Sequence, residues 1–248
     1  PSDGGLVREY KKVINTNNCE KYERIDEFWE KVDFCPVCKS KKRKFFLTRF
    51  SMDIYKCEKC NHRYLSPRIK YEKASELYND DKTASDIYLQ PIQQEIDKKK
   101  YNYGLTLLSK IGTPSMEKIM DIGCGAGVFL EEAKAFGWNS CIGVDANKRY
   151  SNTYREIKGI QFIQSNFELL DVNKLGSDYD CISLWNCLEH IYDLNKLLIV
   201  IKKLLKRNGL LFVMVPNIES LATRIIREKS PTFGWKHVSH FCSESLVK

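Results

Sequence analysis

From residue 117 onward, short apolar runs alternate with longer amphipathic ones. "KIMDI" reads as a strand, "GVFLEEAKAFG" as a helix closing on Gly137, "SCIGVD" as a strand and "NKRYSNTYREI" as a helix. "IQFIQSN" and "YDCISLWN" read as two more strands, "DLNKLLIVIKKLLKRNG" as a helix and "LLFVMVPN" as a fifth strand. The arbiters are length and period: runs of five to eight apolar residues suit strands, longer runs with a 3.6-residue repeat suit helices. Strands separated by helices predict a parallel sheet covered on both faces, an α/β doubly wound domain over residues 113–248. Ahead of it, residues 71–112 predict a helical connector. It holds "YEKASELYNDD" and "QEIDKKKYNYGLTLLSKI", with Leu105, Leu108 and Ile111 about one turn apart, before "GTPS" breaks the chain. Residues 1–70 form a third segment, a polar leader followed by cysteine pairs and the strand-like runs "KFFLTRF" and "DIYKC".

Composition adds boundaries to this picture. A chain of 248 residues with 43% hydrophobic content can build one sizeable core and a small accessory unit. No stretch approaches the ~20 consecutive apolar residues of a membrane span, and "PSDGGLVREYKK" has no apolar signal-peptide core, so the expected location is cytoplasmic. Ten cysteines, six of them scattered and several inside apolar runs, read as free thiols in a reducing compartment. The net charge of +8 is uneven: residues 1–70 hold 17 Lys/Arg against 10 Asp/Glu, which leaves most of the excess at the N-terminal end. That asymmetry fits an anionic partner such as RNA, or equally a solubilising lysine surface.

Two motifs carry chemistry. "CPVCKS" and "CEKCNH" give Cys35-x2-Cys38-x18-Cys57-x2-Cys60, the spacing of a four-thiolate zinc site. Four cysteine ligands leave no open position, so the metal there is expected to be structural Zn²⁺. The second motif is "DIGCGAGVFL". Three glycines follow a strand and precede a helix, and Asp145 ends the next strand 22 residues after Gly123. Glycine permits positive φ and close backbone approach, and a carboxylate at the neighbouring strand end suits ribose hydroxyls. The plain alternative, a tight turn needed only for packing, does not account for Asp145.

"DIGCGAG" followed by "GVD" resembles the first two motifs of the class I S-adenosylmethionine (SAM)-dependent methyltransferases. "SNFELL", "YDCISLWNCLEHI" and "LKRNGLLFVMVPN" resemble the family's third, fourth and fifth strand regions, and the likeness covers roughly residues 117–217. It implies a Rossmann-like methyltransferase domain with a small N-terminal zinc ribbon, and SAM as cofactor. By resemblance the cofactor residues are Asp121, Gly123, Cys124, Gly125, Gly127, Asp145, Ala146, Asn166, Phe167 and Trp185. Asn166 stands where the family often has an acidic residue.

A hydroxyl acceptor benefits from a general base. The candidates are His240, favoured, and His190, with Glu189 orienting neighbours or touching substrate; for both histidines a packing role is the alternative. Asn186 stands where some relatives have a metal-binding Glu, which weakens a catalytic-metal reading. Tyr78, Tyr88 and Tyr101 on the connector are cofactor or substrate contacts, or half-buried packing. A zinc ribbon ahead of such a domain, and the pattern "PN…S…W.H..HF…SL", resemble methyltransferases acting on sugars or glycan-linked small molecules. The implied acceptor is of that class, with RNA second and a non-catalytic scaffold third. Relatives carry two further strands after the region matching "FCSESL", so the chain is expected to be truncated at its C-terminus. The oligomeric state is not legible.

Overall fold

Alternating apolar runs become strands wherever neighbouring runs can pair, and here they do so in two separate compact units. The computed structural model describes residues 28–49, 52–80, 89–112, 115–147, 150, 159–166 and 172–247. One unit falls within residues 1–81 together with 216–248; the other falls within 82–215.

The larger unit carries a five-stranded parallel sheet: β6 (Lys118–Ile122), β7 (Ser140–Asp145), β8 (Ile160–Gln164), β9 (Tyr179–Trp185) and β10 (Leu205–Met214). Their order is β10-β9-β6-β7-β8. The chain steps outward from β6 in one direction, then crosses to the other side for β9. That reversal puts the carboxyl end of β6 at the switch point, where open α/β sheets bind ligands. The expected α/β doubly wound, Rossmann-like fold is thus present. β6 and β9 are buried along almost their whole length, as strands covered on both faces must be.

Helix α2 (Pro91–Ile111) starts with Pro91 in its first turn, three residues before the expected start, and ends on left-handed Gly112. Helix α3 (Val128–Phe136) is bracketed by left-handed Gly127 and Gly137, matching the sequence reading. Helix α4 (Leu194–Leu204) is capped by the Asp193 side chain and stops five residues short of the expected end. The reason is tertiary: Leu205 already pairs with Tyr179, and Lys206 Nζ reaches the buried Asp180 carboxylate at 2.7 Å. Gly209 lets the strand pass the Tyr179 carbonyl, which a Cβ would meet at 2.7 Å. The helix expected over 147–157 lies almost wholly outside the described residues.

The second unit is built on a four-stranded antiparallel sheet of order β11-β4-β3-β2, made of β2 (Arg43–Arg49), β3 (Met52–Cys57), β4 (Arg63–Leu65) and β11 (Ser239–His240). A two-residue pairing of β1 (Trp29–Glu30) with β5 (Arg68–Ile69) precedes helix α1 (Tyr71–Asp80). Residues near the chain's C-terminal end therefore complete the sheet of the cysteine-bearing unit. The Arg63 guanidinium meets Glu219 at 2.8 Å, and Arg49 donates to the Ser230 carbonyl. Met52, Ile54, Leu65, Ile218 and Phe233 form its apolar core. Among the described residues no helix is long and apolar enough to cross a membrane.

Candidate cofactor site and metal centre

The glycine turn sits at the carboxyl end of β6. Gly123, Gly125 and Gly127 all have positive φ, of 79°, 52° and 83°. The N–H groups of Gly123 and Cys124 both donate to the Val144 carbonyl, at 2.8 and 3.2 Å, which ties the turn to the end of β7. A Cβ on Gly125 would meet nothing within 4 Å, so that glycine answers to its backbone conformation and to open space. The first turn of α3 follows directly, and its N–H groups have no acceptor within the helix. An open cradle of glycine backbone running into a helix N-terminus fits a carboxylate-bearing nucleoside ligand.

Acidic side chains line the same edge. Asp145 ends β7, and its carboxylate accepts from Gly125 N–H at 2.9 Å and Asn147 N–H at 2.8 Å. Burial raises its pKa, while these N–H bonds work against the rise. Asp121, one strand over, is buried and accepts from the Ser183 hydroxyl at 2.7 Å. Burial pushes it up to about 8, against the Ser183 bond and with help from the Asp145 charge. Glu189 lies in the short turn Leu188–His190 after β9. Only 2% exposed, it has no hydrogen-bond partner on either carboxylate oxygen among the described residues. Burial pushes it up to about 7. The thiol of Cys187 feels all three carboxylates and is driven well up, first by burial. The electrostatics thus bring Asp121, Asp145 and Glu189 together around one end of the sheet.

Trp185 closes β9. Its ring packs against Tyr101 (4.9 Å between centroids), Phe129 (5.1 Å) and Phe212 (4.9 Å), and its indole N–H is buried without a partner among the described residues. Tyr101 is thus a packing neighbour of Trp185. Gly104, which the pattern reading passed over, makes this possible: a Cβ there would meet Trp185 Cη2 at 2.3 Å. The only hint in the sequence is a glycine inside a helix. Cys124 is buried under the turn, while Ala146 and Asn166 are half-buried at the ends of β7 and β8. Phe167 and Tyr88 lie outside the described residues, and Tyr78 lies on α1.

The candidate histidines belong to different units. His190 is half-buried in the turn beside Glu189, its backbone N–H donating to the Cys187 carbonyl at 3.0 Å. His240, the favoured base, belongs to the other unit. It sits on β11 opposite Arg63, wholly buried, with its ring 5.4 Å from Phe233. Burial, reinforced by His237, His62 and Arg63, holds its imidazole well below the usual range. Neither of its ring nitrogens has a hydrogen-bond partner among the described residues.

Cys35, Cys38, Cys57 and Cys60 converge so that all four sulfurs lie within 4.8 Å of one another. Two matching turns hold them. Cys35 N–H donates to Ser40 O and Lys39 N–H to Cys35 O; Cys57 N–H donates to His62 O and Asn61 N–H to Cys57 O. Lys39 and Asn61, each just after the second cysteine of its pair, both adopt φ of 58°. Sulfur pairs Cys35–Cys60 and Cys38–Cys57 are 3.5 Å apart, close to the ~3.8 Å edge of a tetrahedron with ~2.3 Å zinc–sulfur bonds. Burial pushes Cys35 up and takes Cys60 to about 11, so keeping this cluster as thiolates calls for a cation. The donor set fits tetrahedral Zn²⁺. His62 is not in the cluster; its Nε2 meets Ser239 Oγ at 3.2 Å.

Comparison with known proteins agrees with this geometry. A family model described as a methyltransferase domain matches residues 93–248. The ubiquinone biosynthesis O-methyltransferase of Rickettsia conorii is 27% identical over 104 residues, 40% of this chain and 35% of that protein. The protein of the same name from Bartonella tribocorum is 31% identical over 107 residues, 40% of this chain and 41% of its own. The chain thus spans well under half the length of these two curated relatives. Among solved structures, magnesium protoporphyrin IX methyltransferase (ChlM) from Synechocystis PCC 6803, with bound SAH, superposes with a TM-score of 0.51. It is 14% identical, covers 71% of this chain and 85% of that one, and speaks to the fold.

Proposed function

Because the chain belongs to the methyltransferase-domain family, we propose that it transfers a methyl group from SAM to an oxygen of a small-molecule acceptor. The observation that carries the reading is the left-handed glycine turn with the Asp145 carboxylate poised against its Gly125 N–H. The relatives' names, which speak of O-methylation in ubiquinone biosynthesis, favour oxygen. The likeness of "PN…S…W.H..HF…SL" to sugar-modifying enzymes supports a finer assignment to sugar or glycan-linked hydroxyls.

When bound, SAM supplies a methyl on a sulfonium, an electrophile that needs no further activation. The protein's part is alignment for in-line displacement and removal of the hydroxyl proton. In this reading the Gly123–Gly127 turn and the first turn of α3 hold the amino-acid end, and Asp145 accepts from the ribose hydroxyls. Trp185 offers its indole N–H, which has no partner among the described residues, and Asn166 and Phe167 border the adenine. Glu189 takes the hydroxyl proton, because a carboxyl poised near neutrality can both accept and release it. His190 stands next to it in the same turn. Cys35, Cys38, Cys57 and Cys60 hold a structural zinc whose binding supplies folding energy to their unit.

The test is calorimetric titration with SAM and S-adenosylhomocysteine, for wild type, Asp145→Asn and Asp145→Ala, with zinc measured on the same samples. Binding that both variants weaken at least ten-fold, followed by transfer of labelled methyl to hydroxylated small molecules, is expected. A folded, zinc-loaded wild type that binds neither compound would overturn the proposal.

A further inference from the structure

The cysteine-bearing unit carries a surface that the methyl-transfer reading leaves unused. Residues 39–44, "KSKKRK", hold five basic residues in six, leading from the first cysteine turn into β2, the outer strand of its sheet. Lys39, Lys41, Lys42 and Lys44 are exposed, and Lys59 on the second cysteine turn is exposed too. Lys44 pairs directly across the sheet with Lys56. Like charges in that register destabilise a sheet unless an anion lies over them. None of Lys39, Lys41, Lys42, Lys44, Lys56 or Lys59 has an ion-pair partner among the described residues. The acidic side chains near them in sequence are Asp33, which meets Lys31 at 3.4 Å, Asp53, which accepts from the Thr48 hydroxyl at 2.6 Å, and Glu58. A filled four-thiolate zinc site carries two negative charges, fewer than this run of cations supplies.

Aromatic rings stand on the opposite face of the same edge strand, since Phe45 pairs with Tyr55 next to the Lys44–Lys56 pair. Phe45 is 58% exposed, edge-on to Tyr55 at 6.4 Å, and the Arg43 guanidinium lies 4.1 Å from the Tyr55 ring. Phe34 is 47% exposed with Lys41 Nζ 5.0 Å from its centroid. Phenylalanines left this exposed gain little from folding. They gain from a partner that brings flat faces along with negative charge. A single nucleotide would need a concave site for its few charges. An outer strand with lysines spaced along it suits an extended polyanion instead. We propose that the exposed β2 edge of this sheet and the segment leading into it dock single-stranded nucleic acid that straddles the edge, with Lys41, Lys42, Lys44 and Lys56 on phosphates and Phe45 and Phe34 under bases.

The experiment uses the full chain and a fluorescein-labelled uridine oligonucleotide of about 12 nucleotides, within the site size of a small module. Fluorescence anisotropy is read without SAM, so the outcome is independent of methyl transfer. Four neutralised phosphates predict a slope of log K on log salt near −2.8, about a fifty-fold loss of affinity between 50 and 200 mM salt. Lys44→Ala/Lys56→Ala should halve that slope. Phe45→Ala should weaken binding about ten-fold at unchanged slope, since stacking is not ionic. Zinc content, measured for each variant, reports whether the unit has stayed folded. No binding at 50 mM salt would overturn the proposal, as would binding that the lysine variant leaves untouched. Heparin displacing the strand with no effect of Phe45→Ala would also overturn it, by marking the partner as a polyanion without bases.

Discussion

Gly104→Ala reverses the usual sign of a helix substitution, and the structure says by how much. In the interior of an ordinary helix, alanine in place of glycine stabilises by roughly 0.8–1.0 kcal/mol. At position 104 of α2 the new Cβ would lie 2.3 Å from Trp185 Cη2, 3.0 Å from Cζ2 and 3.2 Å from Phe212 Cζ. Carbon atoms in contact sit about 3.5 Å apart or more, so the closest approach is short by about 1.2 Å. The indole cannot swing aside, because Tyr101, Phe129 and Phe212 hold it on other sides. The helix must move off β9 instead. With a closest approach this short the overpacking cost lies at the upper part of the usual range of about 1–3 kcal/mol, which outweighs the gain in propensity and leaves a net loss of up to about 2 kcal/mol. For a chain of this size that lowers the melting temperature by up to about 8 °C. The assay is thermal unfolding followed by tryptophan fluorescence and circular dichroism, on Gly104→Ala, Trp185→Phe and the double variant. Phenylalanine's single ring is shorter than the fused indole whose benzo carbons reach Gly104, so alanine should then stabilise the Trp185→Phe protein. Strict additivity of the two changes, or a higher melting temperature for Gly104→Ala alone, would refute the reasoning.

Glu189→Gln should make the protein more stable at pH 8.5 and indifferent near pH 4. Burial raises the native carboxyl from 4.5 to about 7, so the folded state holds its proton to higher pH than the unfolded chain does. Stability from that proton, about 3 kcal/mol at most, is full below 4.5 and lost as pH rises through 7; melting curves of both proteins across that window check it. Stripping zinc with a strong chelator, or replacing Cys57 by Ser, should abolish protection of the β2–β3 and β4–β11 amides in hydrogen exchange while β6 and β9 stay protected. Native mass spectrometry should find one zinc per untreated chain, and unchanged exchange after removal of the metal would count against a structural role.

What the sequence made legible was whatever local chemistry forces. The glycines at 123, 125 and 127 are readable because positive φ excludes most side chains at those very positions. Asp145 is readable because a parallel crossover places the end of the next strand beside that turn. The two cysteine turns repeat one another down to a left-handed residue after each second cysteine, and their spacing alone announces the site. The end of α4 shows the opposite case. "KKLLKR" has helical propensity throughout, but pairing of Leu205 with Tyr179 and the Lys206–Asp180 bond draw the chain into strand after Leu204. Asp180 also accepts the Glu117 and Lys118 N–H groups and the Ser115 hydroxyl, and nothing within "YDCISLWN" distinguishes it from a surface residue.

His240 is the sharpest instance of a signal that sequence cannot carry. A two-residue strand has no period, and its partner Arg63 lies 177 residues earlier in the chain. Read along the chain, "WKHVSHF" follows the fifth strand closely enough to suggest a base at the sheet's carboxyl edge. Read in three dimensions, Ser239 and His240 complete the antiparallel sheet of the cysteine unit, and the imidazole is wholly buried beside Phe233. Glu189 inverts the comparison: in sequence it is one more acidic residue in a turn, and only its burial, with both carboxylate oxygens unpartnered among the described residues, marks it. Leaving polar groups so placed costs stability and marks candidates for function, and His240, with both ring nitrogens likewise buried and unpartnered among the described residues, carries the same mark in its own unit.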